Sequence, residues 1–324
     1  MDALQQIRKP IEQDMLRFRE EFEARLVHAN PLLNYVLATI GKRKGKMMRP
    51  ILVLLASRLM GEVNENTIYA AAAFEFFHTA SLVHDDIVDE SDERRGQKSV
   101  NNAFGNQVAV LVGDYMLATA LFCASKTRNP RLVEVLSIAA QNLASGELLQ
   151  LSNISNEAVN EQVYFDIIKD KTAALFAACA QGGIMSVSSD EMAMKTMYEF
   201  GELLGICFQI RDDIFDYSND TNIGKPTGND MKEGKLTLPA IHALLATNDE
   251  RMMLLARKVK EGGISLAEID ELVAFTKANG GIEYATNKMY EYADKAKSLL
   301  DFFPDSEVKQ ALCTYVDYVV DRNV

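Results

Sequence analysis

The 324-residue sequence lacks the features that mark several protein classes. Its four cysteines show no CxxC spacing, which is typical of buried thiols in a reducing compartment and argues against a zinc site or a disulfide framework. Basic residues are also in the minority, because 34 Lys and Arg against 46 Asp and Glu give a net charge of −12. This acidic balance argues against a nucleic-acid-binding surface.

Signals for export or for a membrane anchor are also missing. Residues 1–14 (MDALQQIRKPIEQD) are charged and contain no apolar signal core. Residues 108–124 form a long apolar run, but Gly113 and Asp114 interrupt it, and an aspartate is costly within lipid. A buried helix is therefore predicted there, in a cytoplasmic protein without a membrane anchor.

The sequence lacks strand-like alternation of apolar and polar residues, and it contains neither a GxGxxG nor a Walker element. Apolar residues recur instead at helical spacing, as in residues 2–28, and Ser265 and Glu268 are spaced as a helix-capping box. The composition, 48% hydrophobic and 25% charged, is that of a globular protein. We predict an all-α fold of roughly a dozen helices in a single domain, residues 1–324.

An acidic cluster follows an apolar stretch in residues 78–96, HTASLVHDDIVDESDERRG. Residues 67–83 contain no Gly or Pro and predict a buried helix. On such a helix Asp85 and Asp89 share a face, whereas Asp86 is rotated away by roughly 100°. Neighbouring carboxylates repel one another unless cations bind them. A solvated helix end is the alternative interpretation.

The same DDxxD spacing recurs in residues 209–216, QIRDDIFD, within another apolar helical pattern. Its carboxylates are Asp212, Asp213 and Asp216. Two carboxylates on each of two helices would supply oxygen ligands only. Such ligands suit Mg²⁺, which commonly links carboxylates to substrate phosphates. The repetition favours a metal site over two unrelated helix ends.

With these paired motifs and their basic flanks, residues 42–239 resemble the trans-polyprenyl diphosphate synthases of the medium- to long-chain bacterial kind. The resemblance implies the isoprenoid synthase fold, with helices around a central cavity, and a homodimer. It also implies head-to-tail addition of isopentenyl diphosphate to an allylic diphosphate, either farnesyl or geranyl diphosphate. About three Mg²⁺ ions per active site are expected from the same resemblance.

The resemblance assigns a role to individual residues in both halves of the chain. Metal binding falls to Asp85, Asp86, Asp89, Asp212, Asp213 and Asp216. Direct catalytic roles fall to Asp85, Asp89, Asp212, Lys171 and Arg94. Isopentenyl diphosphate would contact Lys46, Arg49, Arg95, Phe208 and Gln209. The allylic diphosphate would contact Arg94, Lys171 and Thr172. Further contacts to diphosphate are assigned to His78, Lys225 and Lys235.

Some of these residues also have simpler interpretations. His78 lies two helical turns before Asp85 and could be a core histidine with a satisfied hydrogen bond. The basic run GKRKGKMMRP, residues 41–50, could be a solvated loop, and Lys171 could extend its side chain to solvent. The resemblance favours the binding roles, and it makes Asp230 a candidate for holding a metal-bound water.

Four residues upstream of Asp85 are predicted to set the product length: Phe74, Phe77, Ala80 and Ser81. Ala80 and Ser81 lie one turn below the cluster, where short-chain synthases of the resembled family carry bulky side chains. Phe77 and Phe74 fall about 12 and 16 Å from Asp85 along the helix, as core packing or as part of a tunnel. An open tunnel favours a product of about eight isoprene units, about C40, for a quinone side chain.

Other functions remain open on the sequence alone. A shorter-chain synthase that makes farnesyl or geranylgeranyl diphosphate would share every motif. A class I terpene cyclase would usually pair one DDxxD cluster with an Asn/Ser/Glu metal motif, and an enzyme of the squalene synthase type would use DxxED-like clusters. A non-catalytic partner subunit would usually have broken acidic motifs. Incorporation of labelled isopentenyl diphosphate separates these alternatives.

Overall fold

The structure is a computed structural model and describes residues 2–42, 45–94, 96–153, 159–217 and 227–322. Within these ranges the chain is almost entirely helical, which confirms the predicted all-α fold class. The one sheet in them is an antiparallel pair of two-residue strands, β1 (Glu93–Arg94) and β2 (Gln97–Lys98).

Seventeen α-helices occur in the described ranges, and three of them have six residues or fewer. The first eight are α1 (Ala3–Arg8), α2 (Glu12–Ala24), α3 (Pro31–Gly41), α4 (Met48–Met60), α5 (Glu65–Val88), α6 (Val100–Phe104), α7 (Asn106–Lys126) and α8 (Pro130–Asn153). The others are α9 (Glu161–Ile168), α10 (Ala174–Met185), α11 (Glu191–Phe215), α12 (Asn229–Lys232), α13 (Leu238–Thr247), α14 (Glu250–Glu261), α15 (Leu266–Ala278), α16 (Gly281–Leu299) and α17 (Glu307–Asp321). A π-helical turn, Lys169–Ala173, joins α9 to α10.

Polar side chains begin several of the helices. At α5, the Asn64 side chain accepts a hydrogen bond from the Thr67 N–H, while the Thr67 hydroxyl accepts one from the Asn64 N–H. Ser265 and Glu268 form the same reciprocal arrangement at α15, as their spacing predicts. Asn30 caps α3. These caps satisfy N–H groups that have no partner inside the helix.

The chain divides into two compact units. Unit 1 consists of Met1–Ala140, Phe176–Tyr198 and Phe302–Thr314, and unit 2 consists of Gln141–Leu175, Glu199–Asp301 and Tyr315–Val324. In unit 1, α5 packs against α2, α4, α6 and α7. Residues 70–74 are buried on every side of this helix, because the sequence there offers no polar face.

Unit 2 is organised around α13, which packs against α9, α15 and α16. The approach of α16 is close, because a Cβ at Gly281 would lie 2.3 Å from the Pro239 carbonyl oxygen. The apolar core beside these helices includes Tyr217, Met231, Leu244 and Leu255. Tyr217 follows α11 directly, so this core fixes the chain just beyond the second acidic cluster.

One face of the apolar helix α7 is exposed. Its buried residues, on the side that packs against α5, include Ala109, Val112, Met116 and Cys123. Its exposed residues are Val110, Leu111, Leu121 and Phe122. The helix predicted at residues 108–124 is present, but the prediction that it is buried is wrong for this face. Among the described residues, α7 is the one helix with the length and mean hydropathy, 1.8, of a membrane-crossing segment.

Cys123, Cys179 and Cys207 are free thiols, as their spacing predicts. Cys123, Cys179 and Cys207 are buried, and Cys313 is half-buried. Burial raises the pKa of Cys123 to about 11 and that of Cys207 to about 12, so both stay as neutral thiols at physiological pH.

Candidate active site

The first acidic cluster lies at the carboxyl end of α5, in unit 1. Helix α5 ends at Val88, and Asp89 follows as its capping residue. The side chains of Asp85 and Asp89 are half-buried, whereas Asp86 is only 1% exposed. The cluster therefore contains two different kinds of carboxylate, as the predicted rotation of Asp86 away from the other two implies.

The buried carboxylate of Asp86 is paired with Arg94. Both Nε and Nη2 of Arg94 contact Asp86 Oδ1, at 2.7 and 2.6 Å, and the Arg94 side chain is 30% exposed. The Asn101 amide also donates to the Asp86 carbonyl oxygen, at 3.1 Å. A buried charge requires such a partner, since an isolated one is costly. Arg94, predicted as a ligand of the allylic diphosphate, therefore also holds the end of α5.

His78, Asp86 and Arg94 line one cavity of unit 1, with a volume of about 50 Å³. Phe22 and Ile40 contribute apolar wall to the same cavity. His78 is half-buried rather than enclosed in the core. The structure thus brings together two of the predicted diphosphate-binding side chains, and it adds Phe22, which lies outside the motifs recognised in the sequence.

The basic loop before α4 is held by α1. Arg8 Nη2 donates to the Lys46 carbonyl oxygen at 2.7 Å, and Met47 adopts a left-handed conformation (φ 54°) where α4 begins. Lys46 is exposed. The Arg49 guanidinium lies 4.8 Å from the centroid of the Phe176 ring. The two predicted binding residues are thus on a fixed turn and on the first turn of α4.

The four predicted chain-length residues are all buried in unit 1: Phe74, Phe77, Ala80 and Ser81. The Ser81 hydroxyl donates to the His78 carbonyl oxygen at 2.9 Å. Phe74 packs against α10, because a Cβ at Gly182 would lie 2.6 Å from Phe74 Cε2. Their role in product length stays a prediction.

The second acidic cluster lies at the carboxyl end of α11, in unit 2. The Asp212 side chain is 44% exposed and Asp216 is half-buried, but Asp213 is only 3% exposed. The second aspartate of each DDxxD motif is thus the buried one. This shared pattern was not part of the sequence prediction, which gave all six aspartates the same metal-binding role.

Both oxygens of Asp213 accept hydrogen bonds. The Tyr164 hydroxyl donates to Oδ2 at 2.6 Å, and Gln209 Nε2 donates to Oδ1 at 2.8 Å. Gln209 Oε1 accepts in turn from the Thr172 hydroxyl at 2.8 Å. Burial raises the pKa of Asp213 to about 7, against the two hydrogen bonds, which lower it. Tyr164 was not identified from the sequence.

Asp216 holds the chain beyond the cluster. Its carboxylate accepts hydrogen bonds from the backbone N–H groups of Asn229, at 2.9 Å, and Asp230, at 3.1 Å. Burial and the charges of Asp213 and Asp216 raise the pKa of Asp230. Lys235 donates its backbone N–H to the Asp230 carbonyl oxygen, and its Nζ pairs with Glu233 at 2.9 Å. Asp230, the candidate for holding a metal-bound water, and Lys235, a predicted phosphate contact, are therefore tied to the second cluster.

Lys171 lies in the π-helical turn and forms an ion pair with Glu147 of α8. The approach of the two segments is tight, because a Cβ at Gly146 would lie 2.9 Å from the Lys171 backbone nitrogen. The Lys171 side chain is 22% exposed. It is therefore held by a partner and does not simply extend into solvent. Short π-helical segments occur frequently at functional sites.

Arg322, near the end of the chain, contacts the second cluster, and no sequence motif pointed to it. Its Nη2 pairs with Asp212 and donates to the Phe208 carbonyl oxygen. Its guanidinium lies 3.9 Å from the centroid of the Phe208 ring. The Arg211 side chain donates to the Arg322 carbonyl oxygen at 2.8 and 3.2 Å. The Arg322 guanidinium thus pairs with the exposed carboxylate of Asp212, which was predicted to bind Mg²⁺.

Two predicted residues, Arg95 and Lys225, lie outside the described residues. Within either unit, the described residues include no group of three or more side chains arranged to hold a metal ion. The carboxylates that remain accessible nevertheless suit a hard divalent cation, since they offer oxygen ligands alone. Arg322 already places one positive charge against Asp212.

The chain matches a known family over most of its length. The family model for polyprenyl synthetase matches residues 30–275. An octaprenyl diphosphate synthase from Haemophilus influenzae is 36% identical over 322 residues, which cover 99% of this chain and 98% of that protein. The chain therefore belongs to the polyprenyl synthetase family.

Solved structures agree with this assignment. A geranylgeranyl pyrophosphate synthase from Bacteroides thetaiotaomicron is 49% identical, with a TM-score of 0.88, and the match covers 99% of this chain and 100% of that one. A polyprenyl synthase from Caulobacter crescentus, complexed with calcium and isoprenyl diphosphate, is 32% identical, with a TM-score of 0.93 and coverage of 99% and 98%. The fold is thus the predicted isoprenoid synthase fold.

Family membership defines the chemistry at its general level. The chain is a prenyltransferase that acts on isoprenoid diphosphates, and enzymes of this family depend on a divalent metal ion. The predicted resemblance to polyprenyl diphosphate synthases is confirmed.

Proposed function

We propose that the protein is an all-trans polyprenyl diphosphate synthase that adds isopentenyl diphosphate repeatedly to farnesyl or geranyl diphosphate. The observation that carries this proposal is the repeated form of the two DDxxD clusters. Each ends a helix with one buried, hydrogen-bonded aspartate and with partly exposed aspartates on either side of it. A terpene cyclase or a non-catalytic subunit would not be expected to keep both clusters intact.

Asp85, Asp89, Asp212 and Asp216 are the residues proposed to hold Mg²⁺, with about three ions expected from the family resemblance. When bound, Mg²⁺ supplies positive charge that stabilises the leaving diphosphate. Asp86 and Asp213 belong to the clusters but are buried and engaged with Arg94, Tyr164 and Gln209, so their proposed part is to fix the helix ends.

The basic residues are proposed to bind the two diphosphates. Lys171, Arg94 and Lys225 bind the allylic diphosphate and stabilise the charge that develops as it leaves, with Thr172 beside them. Lys46, Arg49 and Arg95 bind isopentenyl diphosphate, with Phe208 and Gln209 as neighbours of its site, and His78 and Lys235 add contacts to diphosphate. Arginine forks suit phosphate oxygens and carboxylates alike, so Arg94 can serve both Asp86 and a substrate.

In the proposed reaction the bond between C1 and oxygen of the allylic diphosphate breaks and leaves an allylic cation. The C3–C4 double bond of isopentenyl diphosphate attacks C1, and a proton is then lost from the new chain. No side chain of the described residues is proposed as the base. The released diphosphate is the proposed proton acceptor, by analogy with the chemistry of the substrates.

The proposed product is long, about eight isoprene units, as a precursor of a quinone side chain. The similarity to octaprenyl diphosphate synthase and the small side chains of Ala80 and Ser81 support it. A geranylgeranyl product is the second candidate. It is favoured by the buried rings of Phe74 and Phe77 further along α5, and by the similarity to a geranylgeranyl pyrophosphate synthase.

Mass spectrometry of the products separates the two candidates. The purified chain is incubated with Mg²⁺, farnesyl diphosphate and an excess of isopentenyl diphosphate. A main product of about eight units supports the long-chain proposal. A product that stops at about four units assigns the floor of the tunnel to Phe77 or Phe74. No incorporation would contradict the synthase proposal itself.

We further propose a homodimer in the cytoplasm, with residues 1–324 as a single catalytic domain. The four large apolar side chains exposed on one face of α7, with Asp114 between the two pairs, support the dimer, because exposed apolar groups often mark an interaction surface. The free, buried thiols support a reducing compartment. The family model supports a single domain, since one continuous match includes residues of both units.

A further inference from the structure

Four polar side chains of unit 2 form one continuous chain of hydrogen bonds: Tyr164, Asp213, Gln209 and Thr172. The three donor–acceptor distances are 2.6, 2.8 and 2.8 Å along this chain. It ties α9, α11 and the π-helical turn to one another. Tyr164 is the one member for which neither the motifs nor the proposed reaction provides a role.

The chemistry of the groups fixes the direction of every bond. The ionised form of Asp213 only accepts, so the Gln209 atom that faces it is the amide nitrogen. The Gln209 carbonyl oxygen must then face Thr172, whose hydroxyl is the donor. The Tyr164 hydroxyl supplies the proton of its bond to Asp213 Oδ2, so the phenol is the donor.

The hydroxyl of Tyr164 therefore influences Gln209 and Thr172 without contacting either of them, through Asp213. It holds Oδ2 of Asp213, which leaves Oδ1 in place to orient the Gln209 amide. The Gln209 orientation in turn decides that the Thr172 hydroxyl donates along the chain. Without the phenol, the carboxylate could rotate and the amide could turn over, and the polarity of both Gln209 and Thr172 would no longer be defined.

We propose that Tyr164 is a positioning residue of the condensation reaction, which acts through Asp213 to orient Gln209 and Thr172 toward the two substrates. This inference rests on the proposed function, because Gln209 and Thr172 are the proposed neighbours of isopentenyl diphosphate and of the allylic diphosphate. It assigns Tyr164 no contact with either substrate.

The test compares Tyr164→Phe with Tyr284→Phe. Tyr284 is a matched control in the same unit, since its hydroxyl donates to Glu161 Oε1 at 2.8 Å and lies outside the hydrogen-bond chain. Loss of one hydrogen bond to a charged group predicts a fall of about tenfold in kcat for Tyr164→Phe. The KM values for both substrates should stay within about threefold, because the binding groups remain present. Tyr284→Phe should keep its kcat.

A double-mutant cycle separates positioning from simple support of the fold. Thr172→Val should lower kcat in the wild-type and Tyr284→Phe backgrounds by the same factor. In the Tyr164→Phe background its effect should be several-fold smaller, because the Thr172 hydroxyl has already lost its defined orientation. Equal factors in all three backgrounds would overturn the inference, and so would an unchanged kcat for Tyr164→Phe.

Circular dichroism first shows whether Tyr164→Phe folds. If it does not, the same cycle is run with Asp213→Asn in its place, and additive effects with Thr172→Val again overturn the inference. Failure of the proposed function is a separate result. In that case the wild-type chain itself incorporates no isopentenyl diphosphate, which removes the reaction and the inference together.

Discussion

At the scale of single residues, Asp212 and Asp213 are neighbours in sequence but have opposite surroundings. Asp212 is partly exposed and pairs with Arg322, whereas Asp213 is buried and accepts hydrogen bonds from Tyr164 and Gln209. Burial makes the charged form of a carboxylate costly unless donors compensate it. The two residues should therefore respond differently to substitution, although a motif counts them as equal.

Removal of a cluster carboxylate that is not fully buried should abolish most of the turnover. We expect Asp85→Ala and Asp212→Ala to lower kcat about 10²- to 10³-fold, because the proposed metal site loses a ligand and the leaving diphosphate loses charge stabilisation. Steady-state kinetics measures the effect, and circular dichroism should show an intact fold. Asp294→Ala is the control, since Asp294 is exposed on α16. Normal turnover of either cluster variant would contradict the metal-site assignment.

Arg322 should compete with cations for Asp212. We expect Arg322→Ala to bind Mg²⁺ about three- to tenfold more tightly in calorimetric titrations without substrate, since one charge-assisted hydrogen bond no longer opposes the metal. Arg131→Ala is the control, because Arg131 pairs with Glu191 on the surface. Unchanged or weaker Mg²⁺ binding in Arg322→Ala would show that the ion pair does not compete.

At the scale of secondary structure, the ends of α5 and α11 and the close contact of α8 with the π-helical turn position the proposed site residues. The sequence predicts α5, α11 and the capping box of α15 correctly, because helical periodicity and capping are local properties. It does not predict the π-helical turn at Lys171. That turn depends on the approach of α8 at Gly146, and the two segments are distant in sequence.

A methyl group at Gly146 should disturb Lys171. In Gly146→Ala the new Cβ would lie 2.9 Å from the Lys171 backbone nitrogen, so the turn must shift and carry Lys171 away from Glu147. We expect kcat/KM for the allylic diphosphate to fall about tenfold. Gly263→Ala is the control, since nothing lies within 4 Å of its added Cβ. Equal kinetics for both variants would show that the close approach has no functional part.

A bulky side chain one turn below the first cluster should shorten the product. We expect Ala80→Tyr to stop elongation several isoprene units earlier than the wild type, because Ala80 is buried on α5 and a phenol there would close the proposed tunnel. Mass spectrometry of the products measures the change. Ala267→Tyr, at an exposed position of α15, should leave the product distribution intact. If Ala80→Tyr also leaves it intact, the tunnel lies elsewhere.

At the scale of the whole molecule, the sequence of α7 does not reveal which face of this helix is exposed. Apolar residues occupy both faces, so the periodic pattern shows no separation between the face toward α5 and the outward face. The packing in unit 1 reveals which side is exposed. Exposed apolar side chains on one helix face often mark a surface that another protein covers. The proposed partner for α7 is a second copy of the chain.

A charge on this face should separate the dimer. We expect Leu111→Glu to run as a monomer in size-exclusion chromatography with light scattering, because an unpaired carboxylate would be buried at the interface. Leu266→Glu is a matched control, since Leu266 on α15 is 71% exposed and Leu111 is 68% exposed. The control should keep the mass of the wild type. A dimeric Leu111→Glu would exclude this face as the interface.

The sequence by itself determined the all-α class, the two DDxxD clusters and the family to which they belong, because these depend on the identity and local spacing of residues. Only the tertiary structure decided which aspartate of each cluster is buried, and that Tyr164 and Arg322 contact the second one. Spacing fixes the face on which a side chain lies. Its solvation and its partners come from segments that are distant in sequence and packed against that face.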